Sequence, residues 1–479
     1  MSLRPPAVAG SFYPANAGQL SRELARLLER LPHNGPSQAV IAPHAGYVFS
    51  GQTAAHAFAR LSPGLERILL LGPSHYRSFA GAALPAPSIH AFATPVGEMP
   101  LDRQALAHLA ENPLFAGPAS AHDPEHCLEV EVPFLQARTP EARLVPILIG
   151  NQTSLAQTKE LARALAGLLG PTTGVVVSSD FTHHGRPYGY VVFPESPALG
   201  ERLALRARRT AGRAAAGDVA GFWHQVEVSD DSVCGAKPIA VLLQLVSHAF
   251  QGEGEILHVS TSGEVSGDWH QVVTYVAVGY SGSFVPWQEQ PSPRLGELSP
   301  EEQQALLALA RATMLTHLTR EEQLAEWFAS HQLAPNLRAP AGAFVTLHTL
   351  PERKLRGCIG SIQPVGSLVD TVVHCAVQVL YDPRFPSVRL GELAELEIEI
   401  SVLSPPEPVA DASAIRLGEH GVILKKGPYS AVFLPQVATE TGWDRETFLA
   451  RLAQKAGLPP EAWRQAELAV FTAQVFAEH

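Results

Sequence analysis

The chain has 479 residues, 46% apolar and 17% charged, with a mean hydropathy of +0.05, a soluble globular composition too long for one ordinary core. Its 46 acidic residues outnumber 35 basic ones for a net charge of −11, which excludes a protein held mainly on nucleic-acid phosphates. Four cysteines without a CxxC pair exclude a disulfide framework and a zinc ribbon, and neither a signal segment nor a run of ~18 apolar residues is present, so a cytoplasmic protein with no membrane partner is expected.

Leu20, Leu24, Leu27, Leu28 and Leu31 form one helical stripe, and the strand that follows ends near Ile41 in AVIAPHAGY, which carries His44. RILLLGPSHY repeats the pattern, a strand at Ile68–Leu71 ending at a turn with His75. In HDPEHCLEVEVPF, His126 and Glu129 are three apart and suit one helix face, although Cys127 and Pro133 interrupt the pattern. A strand in ARLVPILIG, a helix in SLAQTKELARALAGLL and a strand at Val175–Val177 lead to SSDFTHHG, with Asp180, His183 and His184. DDSVCGAKPIAVLLQLV then sets Cys234 just before a helix expected from about Pro238. This alternation predicts a three-layer α/β domain with a mostly parallel sheet over residues 1–283.

The composition breaks at FVPWQEQPSPRLGELSP, read as a Pro-rich linker over 284–296. Ser299, Pro300 and Glu302 form a capping-box signature that opens a helix and a second domain, 297–479. LEIEISVL and FTAQVFA alternate in period two, and GVILKKG and SAVFLP read as neighbouring strands, so this domain is expected to be α+β with an antiparallel sheet.

Parallel sheets place ligands at the carboxyl ends of their strands, so the three histidine-bearing turns are expected to share one crevice. Imidazoles gathered there bind a metal or move protons; singly, each has the plainer reading of a hydrogen bond to a turn carbonyl. A helix N-terminus and Lys237 are expected to favour a Cys234 thiolate, both nucleophile and soft ligand, against the alternative of a packed thiol. For His126 a capping role competes with a place in the pocket. In LRGCIGSIQP, Arg356 suits a carboxylate or phosphate, while Gly357, Cys358 and Gly360 read more simply as a buried thiol in a glycine-rich bend.

RPPAVAGSFYP, APHAGYVFSG, GPSH, EHCLEVEVPFL, SSDFTHHG, SVCGAKPIAVLL and TSGEVSGD resemble the Memo family in order and spacing, over nearly all of residues 4–280. Memo proteins are similar to the class III extradiol dioxygenases of LigB-like fold, which hold a mononuclear non-haem iron at the sheet's carboxyl edge. The resemblance implies His44, His75 and Cys234 as metal ligands. It places Asp180 and His183 beside them, His183 as the proton-transfer residue steered by Asp180, with His126 lining the same pocket and Lys237 near it. Cys234 replaces the carboxylate of the dioxygenase triad, which suits iron(II), with copper(I) as the alternative, and argues against ordinary ring cleavage by O2. Cys127 and Glu131 stand where Ser and Gln are the family pattern, and Cys127 offers a second thiol.

LRGCIGSI, DPRFPSV, LEIEISVLSPPEPV, GEHGVILKKGPYSAVFLPQVA and QKAGLPPEAW resemble the AMMECR family, which implies a groove holding Arg356, Gly357, Cys358 and His420. The pair resembles a fusion of two components of the AmmeMemoRadiSam system. That implies a small-molecule substrate and a separate radical S-adenosylmethionine protein as partner. The function expected is metal-dependent redox or carbon–carbon bond chemistry. A non-catalytic iron- or copper-binding, redox-sensing or peptide-binding protein is the alternative, and a Cys358 nucleophile a third.

Overall fold

The computed structural model describes residues 2–29, 31, 35–193, 196–228, 231–289, 295–319, 323–324, 327, 334–362, 364, 366–409 and 411–478. Two compact units divide between Gln290 and Pro291. Residues 290–294 of the expected linker lie outside the described residues. Its first part belongs to the first unit: Val285 N–H donates to the Ala249 carbonyl, Gln288 N–H to that of His248, and Trp287 stacks on the His248 ring.

In the first unit the strands are β1 (Ser2–Arg4), β2 (Ser37–Ala42), β3 (Arg67–Pro73), β4 (Ala82–Ala83), β5 (Ile89–Thr94), β6 (Gly97–Pro100), β7 (Arg143–Ile149), β8 (Thr173–Ser178), β9 (His183–Gly185), β10 (Phe250–Thr261) and β11 (Gln271–Phe284). The helices are α1 (Ala17–Leu28), α2 (Tyr47–Arg60), α3 (Arg103–Ala110), α4 (Cys127–Arg138), α5 (Leu155–Ala166), α6 (Leu199–Ala215), α7 (Val219–Val228), α8 (Ala236–Ala249) and α9 (Ser262–Ser266). The main sheet runs β10-β11-β2-β8-β3-β7-β4, with β9 beside β11. Its centre is parallel, with Ile41 opposite Val177 and Leu69 opposite Val175.

Successive side chains leave a strand on opposite faces, so β2 and β8, buried along their whole length, feed two cores. Ile41, Leu69, Val175 and Val177 pack with residues of α5, α6, α7 and α8. Val40, Ile68, Leu70 and Val176 pack with α1, α2 and α4 on the other face. The result is a three-layer α/β domain with a mixed, centrally parallel sheet. α5 carries the full Ser154–Gln157 capping box, and α8 starts at Ala236, two residues before its expected start. Among the described residues no helix is long and apolar enough to cross a membrane.

The second unit is α+β. Its strands are β12 (Ala343–Thr349), β13 (Lys354–Ser361), β14 (Leu396–Leu403), β15 (Glu407–Val409), β16 (Gly421–Lys426), β17 (Tyr429–Phe433), β18 (Glu467–Phe471) and β19 (Ala473–Ala477). Its helices are α10 (Pro300–Thr319), α11 (Pro335–Arg338), α12 (Leu368–Val379), α13 (Pro435–Thr441) and α14 (Arg445–Lys455). Two four-stranded antiparallel sheets form, β13-β12-β14-β19 and β15-β18-β16-β17. The Ser299–Glu302 capping box is present in both directions. Leu396, Ile398, Ile400 and Val402 are buried as their period predicts. The opposite face is less open than alternation suggests, because Arg353 covers it with ion pairs to Glu397 at 2.9 Å and Glu399 at 3.4 Å.

Candidate metal centre

The carboxyl ends of β2, β3 and β8 deliver three neighbouring turns, as parallel pairing requires. His44 leaves β2 and is buried; its backbone N–H donates to Asp180 Oδ1 at 2.9 Å, and its Nδ1 lies 2.7 Å from Ser178 Oγ. His75 follows β3 and is clasped by Glu125, which accepts its backbone N–H and its ring Nδ1, both at 2.8 Å. A carboxylate only accepts hydrogen bonds, so Nδ1 carries the proton and His75 Nε2 keeps its lone pair. His126, at the N-cap of α4, makes no capping hydrogen bond with its side chain. Its ring instead stacks on His75 with centroids 4.8 Å apart and meets His44 edge-on at 5.5 Å. Donor nitrogens of His44, His75 and His126 all lie within 4.8 Å of one another.

Cys234 adjoins this cluster at His44, with Sγ 3.3 Å from His44 Nε2 and accepting the Asp180 N–H at 3.2 Å. The glycine after it has a packing reason: a Cβ on Gly235 would stand 2.3 Å from the Ser179 Cβ, so only glycine lets this loop press against β8.

Electrostatics correct one expectation. Burial, and then the Asp180 carboxylate, push the Cys234 thiol up, so without a bound cation it is held neutral. The expected help from Lys237 is directed elsewhere, its ammonium lying 3.9 Å above the Trp223 ring. Burial, reinforced by the neighbouring imidazoles of His75, His126 and His183, holds His44 well below the usual histidine range and keeps it neutral. His126 falls to about 4, by burial and then His75. Burial alone would raise Glu125, but the His75 ring and N–H donors outweigh it and bring the carboxyl to about 2.

A Memo-like protein family model matches residues 4–279, more than half the chain, over all of these turns. The chain belongs to the Memo-like family. An AMMECR1 model matches residues 307–476, so a Memo-like domain is followed by an AMMECR1 domain in one polypeptide. A MEMO1 family protein of Methanopyrus kandleri is 34% identical over 57% of this chain and 98% of its own length. A Thermococcus gammatolerans protein is 45% identical over 30% of this chain and 76% of its own. A solved structure of an uncharacterised Pyrococcus horikoshii protein is 36% identical, covering 38% of this chain and 94% of that one, with a TM-score of 0.34.

In the Memo-like domain the remaining predicted residues take distinct places. His183 Nδ1 lies 2.9 Å from the Ser232 carbonyl, and its backbone N–H donates to Ser232 Oγ at 2.8 Å. Ser232 thus holds the His183 ring, while Asp180 accepts the His44 N–H through Oδ1 and lies close enough to His183 for that ring to be the strongest influence favouring its ionised form. His184, next in β9, points the opposite way and accepts the Val192 N–H. Cys127 is fully buried behind His75, donating to the Pro73 carbonyl at 3.2 Å, with burial raising its thiol. Glu129 does not join His126; it turns to Arg4, Tyr13 and the backbone of Ala7 and Val8. Lys237 lines a cavity of about 420 Å³ with His75 and Cys234. Glu125 and Ser178 were not singled out from sequence; the signal for Glu125 was a carboxylate directly beside a site histidine, of the kind that orients ligating imidazoles.

In the AMMECR1 domain, Arg356 pairs with Glu392 at 2.8 Å. Cys358 Sγ accepts from Thr346 Oγ1 at 3.2 Å, and its N–H donates to Asp382 at 2.9 Å. Gly357 passes close to Val379, where a Cβ would stand 3.1 Å from Cγ2. His420 lies before β16, in the other sheet, with its ring against Arg416. Among the described residues no hydrogen bond or ion pair joins His420 to Arg356 or Cys358.

Proposed function

We propose that the Memo-like domain is a mononuclear transition-metal site, iron(II) first and copper second, acting on a small oxygenated molecule. The observation carrying this reading is the convergence of three imidazoles within 4.8 Å, with Cys234 Sγ 3.3 Å from one of them. The donor set fits such an ion. His75 and His44 are tied through Nδ1 to Glu125 and Ser178, which leaves both Nε2 atoms facing inward. A ligating imidazole backed by a hydrogen-bonding partner is the usual arrangement around a bound ion. His44 and His75 would hold the metal, with Cys234 as a soft ligand once the cation's charge draws off its proton. His126 is the third nitrogen within reach.

Bound there, the ion supplies Lewis acidity or a redox centre. The chain's own residues do the rest. The Ser232 carbonyl can only accept, so His183 carries its proton on Nδ1 and presents Nε2 as a base. Tyr188 meets the His183 ring edge-on at 5.2 Å and restricts its tilt. The AMMECR1 domain is read as acting on the same small molecule's chemistry, with a separate radical S-adenosylmethionine protein as companion and a cytoplasmic setting for both.

Metal analysis of anaerobically purified protein tests the site. About one iron per chain is expected, lost in Cys234→Ser with the circular dichroism spectrum unchanged. Stoichiometric metal retained in both His44→Ala and Cys234→Ser would overturn the reading.

A further inference from the structure

Behind the three imidazoles lies a second group of donor atoms that the outer site does not use. A ring nitrogen of His75, a carboxylate oxygen of Glu125 and Cys127 Sγ all lie within 4.8 Å of one another. His75 Nδ1 is 2.8 Å from Glu125 Oε1. Glu125 is 1% exposed, and among the described residues no lysine or arginine pairs with its carboxylate. Its charge is met by imidazoles and by the N–H groups of His75, His126 and Cys127. A buried carboxylate held this way is a place where a cation is favoured. Cys127 is fully buried beside it, with its thiol donating to the Pro73 carbonyl at 3.2 Å. Gly72 of β3 leaves the room for this sulfur, since a Cβ there would stand 2.6 Å from Sγ. Pro73 and His75 also line the cavity of about 420 Å³, which gives an ion a way in.

We propose that Cys127 Sγ, the Glu125 carboxylate and His75 Nδ1 form an inner position for one divalent ion of the zinc class. One sulfur, one oxygen and one nitrogen donor suit such an ion and leave a fourth place for solvent. On binding, the Cys127 thiol proton leaves to solvent and the His75 proton passes from Nδ1 to Nε2. The ion's two charges are then met by a thiolate and a carboxylate. A proton on Nε2 withdraws the lone pair that His75 offers an outer ion, so the two positions fill alternately and the inner one regulates the outer. The alternation rests on the outer metal site; the inner position itself does not, because Cys234 takes no part in it.

Cadmium(II), which absorbs in the ultraviolet when bound to thiolate, is the probe, added anaerobically to full-length Cys234→Ser so that the outer sulfur is gone. A cadmium–thiolate band is expected there. It should be lost when Cys127→Ser is added, a change that keeps a hydroxyl donor for the Pro73 carbonyl. No band in Cys234→Ser, or an equal band in the double variant, overturns the inner position. X-ray absorption of zinc-loaded Cys234→Ser gives a second reading that needs no further variant: a sulfur neighbour is expected, and a shell of nitrogen and oxygen alone overturns the proposal. Alternation is read on iron-loaded protein, where wild type should release iron at lower cadmium than Cys127→Ser; equal thresholds overturn it. A wild type that takes up no iron would sink the outer site and leave the cadmium results on Cys234→Ser as they stand.

Discussion

Glu125 shows how much one buried carboxylate can organise. It accepts from the His75 ring, from His75 N–H and from the backbone at His126 and Cys127, so two histidine-bearing loops close on a single side chain. Glu125→Gln keeps the shape and removes the charge, and metal affinity should fall about 10–100-fold, read by chelator competition; an unchanged affinity would refute the orienting role. Glu131 is the opposite case. Burial raises its carboxyl well above 4.5, and its Oε2 has no partner. Ser178 has one proton and three neighbours: the Cys127 carbonyl, Glu131 Oε1 and His44 Nδ1. The carbonyl can only accept, so Ser178 donates there, and a neutral Glu131 and the His44 N–H both donate to it. A group whose folded pKa is raised binds its proton more tightly folded than unfolded. Its stabilising effect is complete below pH 4.5 and is lost as pH rises toward the folded value. Glu131→Gln, which imitates the protonated acid, should therefore match wild type near pH 4. Above that it should gain on wild type by about 1.4 kcal/mol per pH unit across the window; parallel stability curves for the two proteins would refute this. The proposed ligands His44 and His75 were legible because each follows an apolar run. Glu125 was not, because a loop carboxylate has no period, and the neutral state of Cys234 was not, because it depends on burial in the folded domain and then on Asp180, 54 residues away in sequence.

At the scale of elements, helix α4 is fixed by a charge buried under the N-terminal segment. Glu129 receives Arg4 at 2.5 Å, the Tyr13 hydroxyl at 2.6 Å, and the N–H groups of Ala7 and Val8. Arg4 and Glu129 are both buried, and Arg4 also reaches the His122 and Glu125 carbonyls. This clamp sets where α4 begins and so where Glu125 and His126 point. Removing one partner strands the other charge out of water, so Arg4→Met should cost about 3–5 kcal/mol in denaturant unfolding; a loss below 1 kcal/mol would mean water reaches the carboxylate. The strands were readable because parallel strands covered on both faces appear as continuous apolar runs, and β2, β3, β7 and β8 do. Helix α4 was harder. It is buried nearly all round and carries Pro133 inside it, so no polar stripe reveals its period. The clamp was hidden for a simpler reason: 125 residues separate Arg4 from Glu129, and only the folded sheet brings them together.

The whole molecule carries two separately cored units, which determines how a bound ion acts on its stability. The Memo-like domain buries one set of side chains on each face of its sheet, around Val175 and Val176. In the AMMECR1 domain, Phe448, Leu449 and Leu452 of α14 close a core with Val422 and Leu424 of β16. Every proposed ligand belongs to the first unit, spanning His44 to Cys234, and the second unit begins at Pro291. An ion that binds only the folded first unit stabilises that unit alone, by RT ln(1 + [L]/Kd), about 2.7 kcal/mol at 100 times Kd. For a domain of this size that corresponds to a rise of about 5 °C in its melting temperature. Scanning calorimetry of the full chain under nitrogen, with and without iron(II), should therefore resolve two transitions and move one. Assignment follows from Cys234→Ser, in which the iron-dependent shift should disappear while the other transition keeps its place. If both transitions move together on adding iron, the ion's free energy is shared by the two cores, and treating them as separate cooperative units is wrong.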